Sequence, residues 1–259
     1  MSRSNPVNNE PNPSTRWFEW SGELGEVRYF DKDAKSLKEG KTGANITCKL
    51  PFTFILLDEL STIKGWHDAS DSGIYSNEVR DTRSETLVVK AFKGGILAEG
   101  FYSQIRDRVG NLGGYFVSNN YIGYKDKAGL LQIGAIQLKG SALNAWVEFR
   151  KDHRGDLYKQ AVKIIGFVEG KKGNIVFRTP VFEMQSITDK TDAEAKALDM
   201  LLQSYLKGYF SCTRTEQVAK PSNAPSIEDH HEEQPDPGTI PDPEPEPEDG
   251  GGKDDDVPF

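Results

Sequence analysis

Six apolar runs of strand length fill the middle of the chain, and this pattern limits the fold most strongly. The longest run, ITCKLPFTFILLDEL at 46–60, is rich in β-branched and aromatic residues. Period-two spacing, as expected for one face of a half-buried strand, relates Tyr158, Gln160, Val162, Ile164, Gly166 and Val168. The glycine-containing loops at 125–129 and 169–173 are short enough to join antiparallel neighbours. The sequence therefore predicts a mainly antiparallel sheet, with strands within 46–60, 84–94, 113–125, 129–140, 158–170 and 174–187.

Three amphipathic segments, at 98–113, 141–155 and 191–210, predict helices among these strands. In the last, Thr191 followed three residues later by Glu194 is typical of a capping box. Its wide apolar stripe permits packing on its own domain or on a second subunit, as in a homo-oligomer.

Antiparallel strands with a few helices indicate an α+β fold built on a small barrel or a sandwich. An OB-fold-like barrel with helical insertions and a C-terminal helix fits residues 16–212, and such barrels commonly bind single-stranded nucleic acid. The strand pattern is also compatible with a sandwich.

Both ends of the chain differ in composition from the middle. Residues 1–15 are rich in Asn, Pro and Ser, and residues 213–259 in Pro, Glu, Asp and Gly, so we expect both segments to be disordered. From residue 220 onward there are thirteen acidic and two basic residues, a net charge of −11, whereas residues 1–219 have a net charge of +3. This asymmetry predicts an acidic interaction tail on a mildly basic body that tolerates a polyanion.

The composition argues against a secreted or membrane protein. The N-terminal residues have no apolar core typical of a signal peptide, and no apolar run approaches the roughly 20 residues that span a bilayer. The two cysteines, Cys48 and Cys212, are isolated and indicate neither a disulfide framework nor a metal site. We expect a cytoplasmic protein.

No residue pattern indicates catalysis, a metal or a cofactor. EGKTG at 39–43 has Lys35 where a phosphate-binding loop needs its first glycine, and DASDSG at 68–73 lacks the glutamate at the twelfth position of a calcium loop. The histidines do not occur at metal-ligand spacing; they are His67, His153, His230 and His231. We therefore expect a non-enzymatic protein without a cofactor.

Aromatic residues beside basic ones indicate binding of single strands, because cations follow the phosphates and exposed rings stack on bases. Trp66, Tyr121 and Tyr124 have polar neighbours and are expected to be exposed, whereas the phenylalanines of apolar strands, Phe167 among them, are expected in the core. Any single aromatic residue of a β-rich domain can instead belong to the core. The candidate DNA-binding residues are Trp66, Tyr75, Arg80, Arg83, Lys90, Phe92, Lys93, Tyr121, Tyr124, Lys125, Lys127, Lys171, Lys172 and Arg178.

The last six residues, DDDVPF, resemble the C-terminal tip of bacterial single-stranded DNA-binding proteins, with Val257 in place of isoleucine. In that family the tip recruits exonucleases, helicases and primases. Phe259 can fill a hydrophobic pocket, its carboxylate can pair with a basic residue, and the aspartates can steer the tip to a basic surface. The candidate partner-binding residues are Asp254, Asp255, Asp256, Val257, Pro258 and Phe259.

Two segments of the body, LPFTFILLDELSTIKGW at 50–66 and SALNAWVEF at 141–149, resemble large single-stranded DNA-binding or replication-associated proteins of bacteriophages. The preferred hypothesis is a protein that coats single-stranded DNA during replication, recombination and repair and recruits partner enzymes through its tip. The alternative is a replication-accessory module that uses the tip to dock host proteins without gripping DNA.

Overall fold

The computed structural model describes residues 11–35 and 42–211. Residues 213–259, for which the sequence predicts disorder and which include the tip, lie outside the described residues. Most of the N-terminal segment also lies outside them. Within them the fold is α+β and its strands pair mainly antiparallel, as the sequence predicts.

The described residues form eleven strands and three α-helices. The strands are β1 (Arg16–Ser21), β2 (Glu26–Lys35), β3 (Thr42–Cys48), β4 (Phe52–His67), β5 (Ser72–Ser76), β6 (Leu87–Ala91), β7 (Gly95–Gly100), β8 (Gly114–Lys125), β9 (Leu131–Leu138), β10 (Ala161–Lys172) and β11 (Ile175–Gln185). The helices are α1 (Tyr102–Asn111), α2 (Gly140–Asp152) and α3 (Asp189–Ser211).

The strands form one sheet in the order β3-β2-β1-β9-β8-β4-β5-β6-β7, and β10 pairs with both β4 and β11. Among the described strands, β1 and β9 form the one parallel pair. The 16-residue β4 joins two groups of strands: β3, β2, β1, β9 and β8 on one side, and β5, β6, β7, β10 and β11 on the other. One of its edges pairs with β8, while the other pairs with β10 near Phe52 and with β5 near His67.

Three hydrophobic clusters fix the helices against this sheet. The largest surrounds Trp146 of α2 and includes residues of β1, β2, β4, β8, β9 and β10. A second packs Leu202 and Leu206 of α3 against β4, β8 and β9, so α3 covers its own sheet. The third packs Ile105 and Val109 of α1 against β4 to β7.

Three differences from the sequence-based boundaries concern α3, the run at 46–60 and α1. α3 begins at Asp189, and Thr188 Oγ1 accepts the Thr191 N–H at 3.2 Å, so Thr188 rather than Thr191 caps this helix. The run at 46–60 is divided between β3 and β4, because Pro51 has no N–H to donate to a ladder. The expected helix at 98–113 begins only at Tyr102, because residues 95–100 pair with β6 as β7.

Candidate nucleic-acid interface

A row of aromatic and lysine side chains crosses five strands of the sheet. Tyr115 of β8 lies opposite Lys64 of β4, which lies opposite Tyr75 of β5. Tyr75 lies opposite Lys90 of β6, and Lys90 lies opposite Ile96 of β7. Residues directly opposite each other in an antiparallel ladder project from the same face. These five side chains therefore lie side by side.

A second, shorter row runs next to the first. Trp66 lies opposite Gly73, and the backbone N–H of Phe92 donates to the Gly73 carbonyl at 3.1 Å. A Cβ at Gly73 would lie 3.3 Å from the Phe92 ring, so this ring lies across the glycine. Its centroid is 4.5 Å from that of Tyr75, and 59% of Phe92 is exposed.

Lys139 borders the first row, with its Nζ 4.7 Å from the centroid of the Tyr115 ring. We define the aromatic–lysine face as Lys64, Trp66, Tyr75, Lys90, Phe92, Tyr115 and Lys139.

Period-two alternation explains why these side chains share a surface. Ile63, Ile74 and Val89 occupy the intervening positions and point to the opposite side, where α1 covers them. Leu60 projects on the same side as Lys64 but packs with α3. The aromatic–lysine face therefore continues the side of the sheet that α3 covers.

A buried polar cluster lies between α3 and this face. The Glu78 carboxylate accepts hydrogen bonds from Asn119 Nδ2 at 2.5 Å and from the Tyr121 hydroxyl at 3.1 Å. Lys64 Nζ donates to Gln137 Oε1 at 2.8 Å. Burial raises the pKa of Glu78 above its ordinary value of 4.5, although both hydrogen bonds and the charge of Lys64 act in the opposite direction.

The raised pKa of Glu78 predicts a pH effect on stability. The folded protein holds this proton more tightly than the unfolded chain, so the contribution is complete below pH 4.5 and is lost as pH rises through the folded-state pKa. Urea unfolding from pH 4.5 to 8 should therefore show the free energy of unfolding of the wild type falling relative to Glu78→Gln. Parallel pH curves for the two proteins would contradict this expectation.

The prediction that Tyr121 and Tyr124 are exposed stacking residues is wrong, because they are 0% and 4% exposed. β8 lies between β9 and β4, and at these two positions both of its faces are covered. Tyr121 packs beneath α3, and Tyr124 packs in the Trp146 cluster with its ring 4.9 Å from that of Phe18.

Two of the three candidate arginines, Arg80 and Arg83, lie in the loop between β5 and β6. Arg80 Nη2 is 2.5 Å from Asp58 Oδ2 and 2.9 Å from Gln203 Oε1, and the guanidinium lies 4.9 Å from the centroid of the Phe210 ring. Arg80 thus attaches this loop to α3. Arg83 is exposed.

The remaining cations lie on other elements. Lys125 and Lys127 are exposed around the β8–β9 turn, about 33 Å along β8 from Tyr115. Lys171 and Lys172 are exposed at the end of β10, before its turn into β11.

Arg178 on β11 is paired. Its Nη2 lies 2.9 Å from Glu169, and its guanidinium lies 5.4 Å from the centroid of the Phe167 ring. The prediction that Phe167 belongs to the core is wrong, because this residue lies on the β10–β11 hairpin beyond its pairing with β4 and is exposed.

Of the predicted DNA-binding residues, the aromatic–lysine face brings together Trp66, Tyr75, Lys90 and Phe92. Lys93 follows Phe92 in the next turn, where its Nζ donates to the Asp71 carbonyl at 3.2 Å. The sequence-based candidates omitted Lys64, Tyr115 and Lys139. Lys64 precedes Trp66 by two residues, and this period-two spacing was an available signal.

Two other kinds of feature are absent from residues 11–35 and 42–211. No three His, Cys, Asp or Glu side chains lie close enough together to hold a metal ion. No helix there has the length and apolarity required to span a membrane.

Comparison of the chain with protein-family models, with curated proteins and with solved structures gives no match.

Proposed function

We propose that this protein binds single-stranded DNA on the aromatic–lysine face and recruits partner enzymes through its C-terminal tip, in replication, recombination and repair in the cytoplasm. The observation that supports DNA binding best is the cross-strand row in which Lys64 and Lys90 flank Tyr75. Lysines can follow the phosphates while the rings stack on bases, and a stacked base contributes about 1–3 kcal/mol.

The strand connections support an OB-like interpretation of part of the sheet. β4 pairs with β8 and β10, β8 pairs with β9, and β10 pairs with β11. β1 runs parallel to β9, and the backbone N–H of Arg178 in β11 donates to the Gly22 carbonyl after β1 at 2.7 Å. OB-folds bind oligonucleotides over the second and third strands and the loop between the first two. Here β4 and β8 are compared with the first two OB strands, and the long connection between them supplies Tyr75 from β5, Lys90 from β6 and Phe92 from the β6–β7 turn.

The test of DNA binding is a titration of a labelled oligothymidine and of a duplex at several salt concentrations. We expect tighter binding of the single strand, with an affinity that falls linearly on a log–log plot against salt. Lys90→Gln should reduce the slope by about 0.7, because one phosphate contact is lost. Lys159→Gln is the control, because Lys159 is an exposed lysine that lies beyond α2. Equal binding of single strand and duplex at low salt would contradict the proposal.

The tip lies outside the described residues, and its role rests on its resemblance to bacterial single-stranded DNA-binding proteins. Deleting Pro258 and Phe259 should leave oligothymidine affinity unchanged within about twofold and abolish binding to a bacterial exonuclease that recognises such tips, because the aromatic ring and its carboxylate are removed. Surface plasmon resonance measures both affinities. Val257→Ile, which gives the family residue, is the matched control and should retain exonuclease binding. Loss of DNA binding alone would show that the tip has another role.

The burial of Tyr121 and Tyr124 favours the second candidate function, a replication-accessory module that docks partner proteins without gripping DNA. The same titration distinguishes the two functions. An accessory module would show exonuclease binding through the tip and no preference for single strands.

A further inference from the structure

A cavity of about 460 Å³ opens between the β5–β6 loop and the C-terminal end of α3. It lies next to the aromatic–lysine face, because Asn77 follows Tyr75 by two residues, about 7 Å along the chain. Asn77 connects the end of β5 to the start of β6. Its side chain donates to the Thr86 carbonyl at 3.0 Å and accepts from the Val88 N–H at 2.7 Å. The cavity is lined by Asn77, Glu78, Val79, Arg80, Glu85, Thr86 and Phe210.

A fixed carboxylate lies in the wall of this cavity. Glu85 Oε2 accepts the backbone N–H of Arg80 at 3.2 Å, and Oε1 accepts that of Asp81 at 3.3 Å. Each carboxylate oxygen has two lone pairs, so both oxygens can accept a further hydrogen bond. The Phe210 ring supplies an aromatic surface, and its contact with the Arg80 guanidinium holds it beside the loop.

The charges of the lining indicate which part of a nucleotide fits. Glu78 and Glu85 are both acidic, and the Arg80 guanidinium already pairs with Asp58. A phosphate in the cavity would therefore lie among carboxylates, whereas a base could stack on Phe210 and donate to Glu85. Guanine presents two adjacent donors, N1–H and the N2 amino group, which match the two oxygens of a carboxylate. Thymine presents a single N–H donor.

We propose that the cavity binds one base of the strand that lies on the aromatic–lysine face, and that it selects guanine over thymine through Glu85. This inference rests on the proposed binding of single-stranded DNA. It adds a base-selective position to a surface whose other contacts, stacking and phosphate pairing, do not depend on sequence.

The test compares a 20-residue oligothymidine with the same oligonucleotide carrying one central guanosine. The wild type should bind the guanosine-containing strand about fivefold tighter, near the lower end of the discrimination expected from a bidentate contact. Glu85→Gln should remove this preference, because a side-chain amide offers one acceptor oxygen in place of two. Thr86→Phe should remove it as well by filling the cavity. Thymine can make only one hydrogen bond to Glu85, so both variants should change the affinity for the pure oligothymidine less than the affinity for the guanosine-containing strand.

The outcomes separate this inference from the proposed function. Equal affinity of the wild type for the two strands overturns the base pocket and leaves DNA binding intact. A guanosine preference that persists in both variants places the selectivity elsewhere and also overturns it. Absence of binding to either strand refutes the proposed function together with the pocket. Thermal unfolding of each variant identifies any loss of binding that is caused by misfolding.

Discussion

Trp146→Ala is expected to lower the free energy of unfolding by about 3–5 kcal/mol, the range for removal of a large buried aromatic side chain. Trp146 is 0% exposed, and its ring centroid lies 5.2 Å from that of Phe182 and 6.1 Å from that of Phe54. Its indole N–H also donates to Glu59 Oε2 at 2.9 Å. The substitution would therefore leave a cavity where α2 meets the sheet and remove a hydrogen bond to a carboxylate.

Urea unfolding followed by circular dichroism measures this loss. Met200→Ala is the control, because Met200 is 74% exposed on α3 and its truncation should change the free energy by less than about 0.5 kcal/mol. Trp146→Phe should give an intermediate value, since it keeps an aromatic ring but lacks the donor to Glu59. Equal stability of Trp146→Ala and Met200→Ala would show that α2 does not anchor the core.

Phe92→Ala is expected to weaken binding of an oligothymidine by about 1–3 kcal/mol, roughly 5- to 150-fold, with little change in stability. The ring is the most exposed aromatic of the aromatic–lysine face, and it lies across Gly73, where no side chain intervenes. Its removal takes away a stacking surface while the core beneath is unaltered. Fluorescence anisotropy with a labelled oligothymidine measures the change.

Two further variants test whether the effect comes from the ring. Phe92→Tyr keeps the aromatic surface and should bind within about twofold of the wild type. Leu130→Ala removes a similarly exposed apolar side chain from the β8–β9 turn and should have no effect. If Phe92→Ala binds as tightly as the wild type, bases do not stack at this position.

The sequence is informative where a local pattern determines the structure. The apolar stripe from Leu198 to Tyr209 correctly predicts α3, and alternation from Tyr158 onward predicts most of β10. β2 was not predicted, because a strand with the sequence EVRYFDKDAK has many charged residues and is defined by pairing with β1 and β3.

Buried polar residues caused the main error about the site. Asn119 and Asn120 beside Tyr121 indicate exposure by composition, yet both asparagines are buried and donate hydrogen bonds to Glu78 and to the Ile136 carbonyl. Buried asparagines that donate such hydrogen bonds cannot be distinguished from surface residues in a sequence. The aromatic–lysine face as a whole could not be predicted from the sequence either. Tyr115 and Lys64 meet through a strand register that neither segment specifies alone.

The parallel pairing of β1 with β9 also affects the order in which the chain can fold during synthesis. Thr15 and Ile133, whose backbones hydrogen-bond at the start of this pairing, are 118 residues apart. Ribosomes add about 5–20 residues per second, so β1 is made roughly 6–24 s before its partner exists. During that time β1 has β2 on one side and an unpaired edge on the other. A nascent chain is therefore exposed to wrong pairing at its first strand until β9 is made.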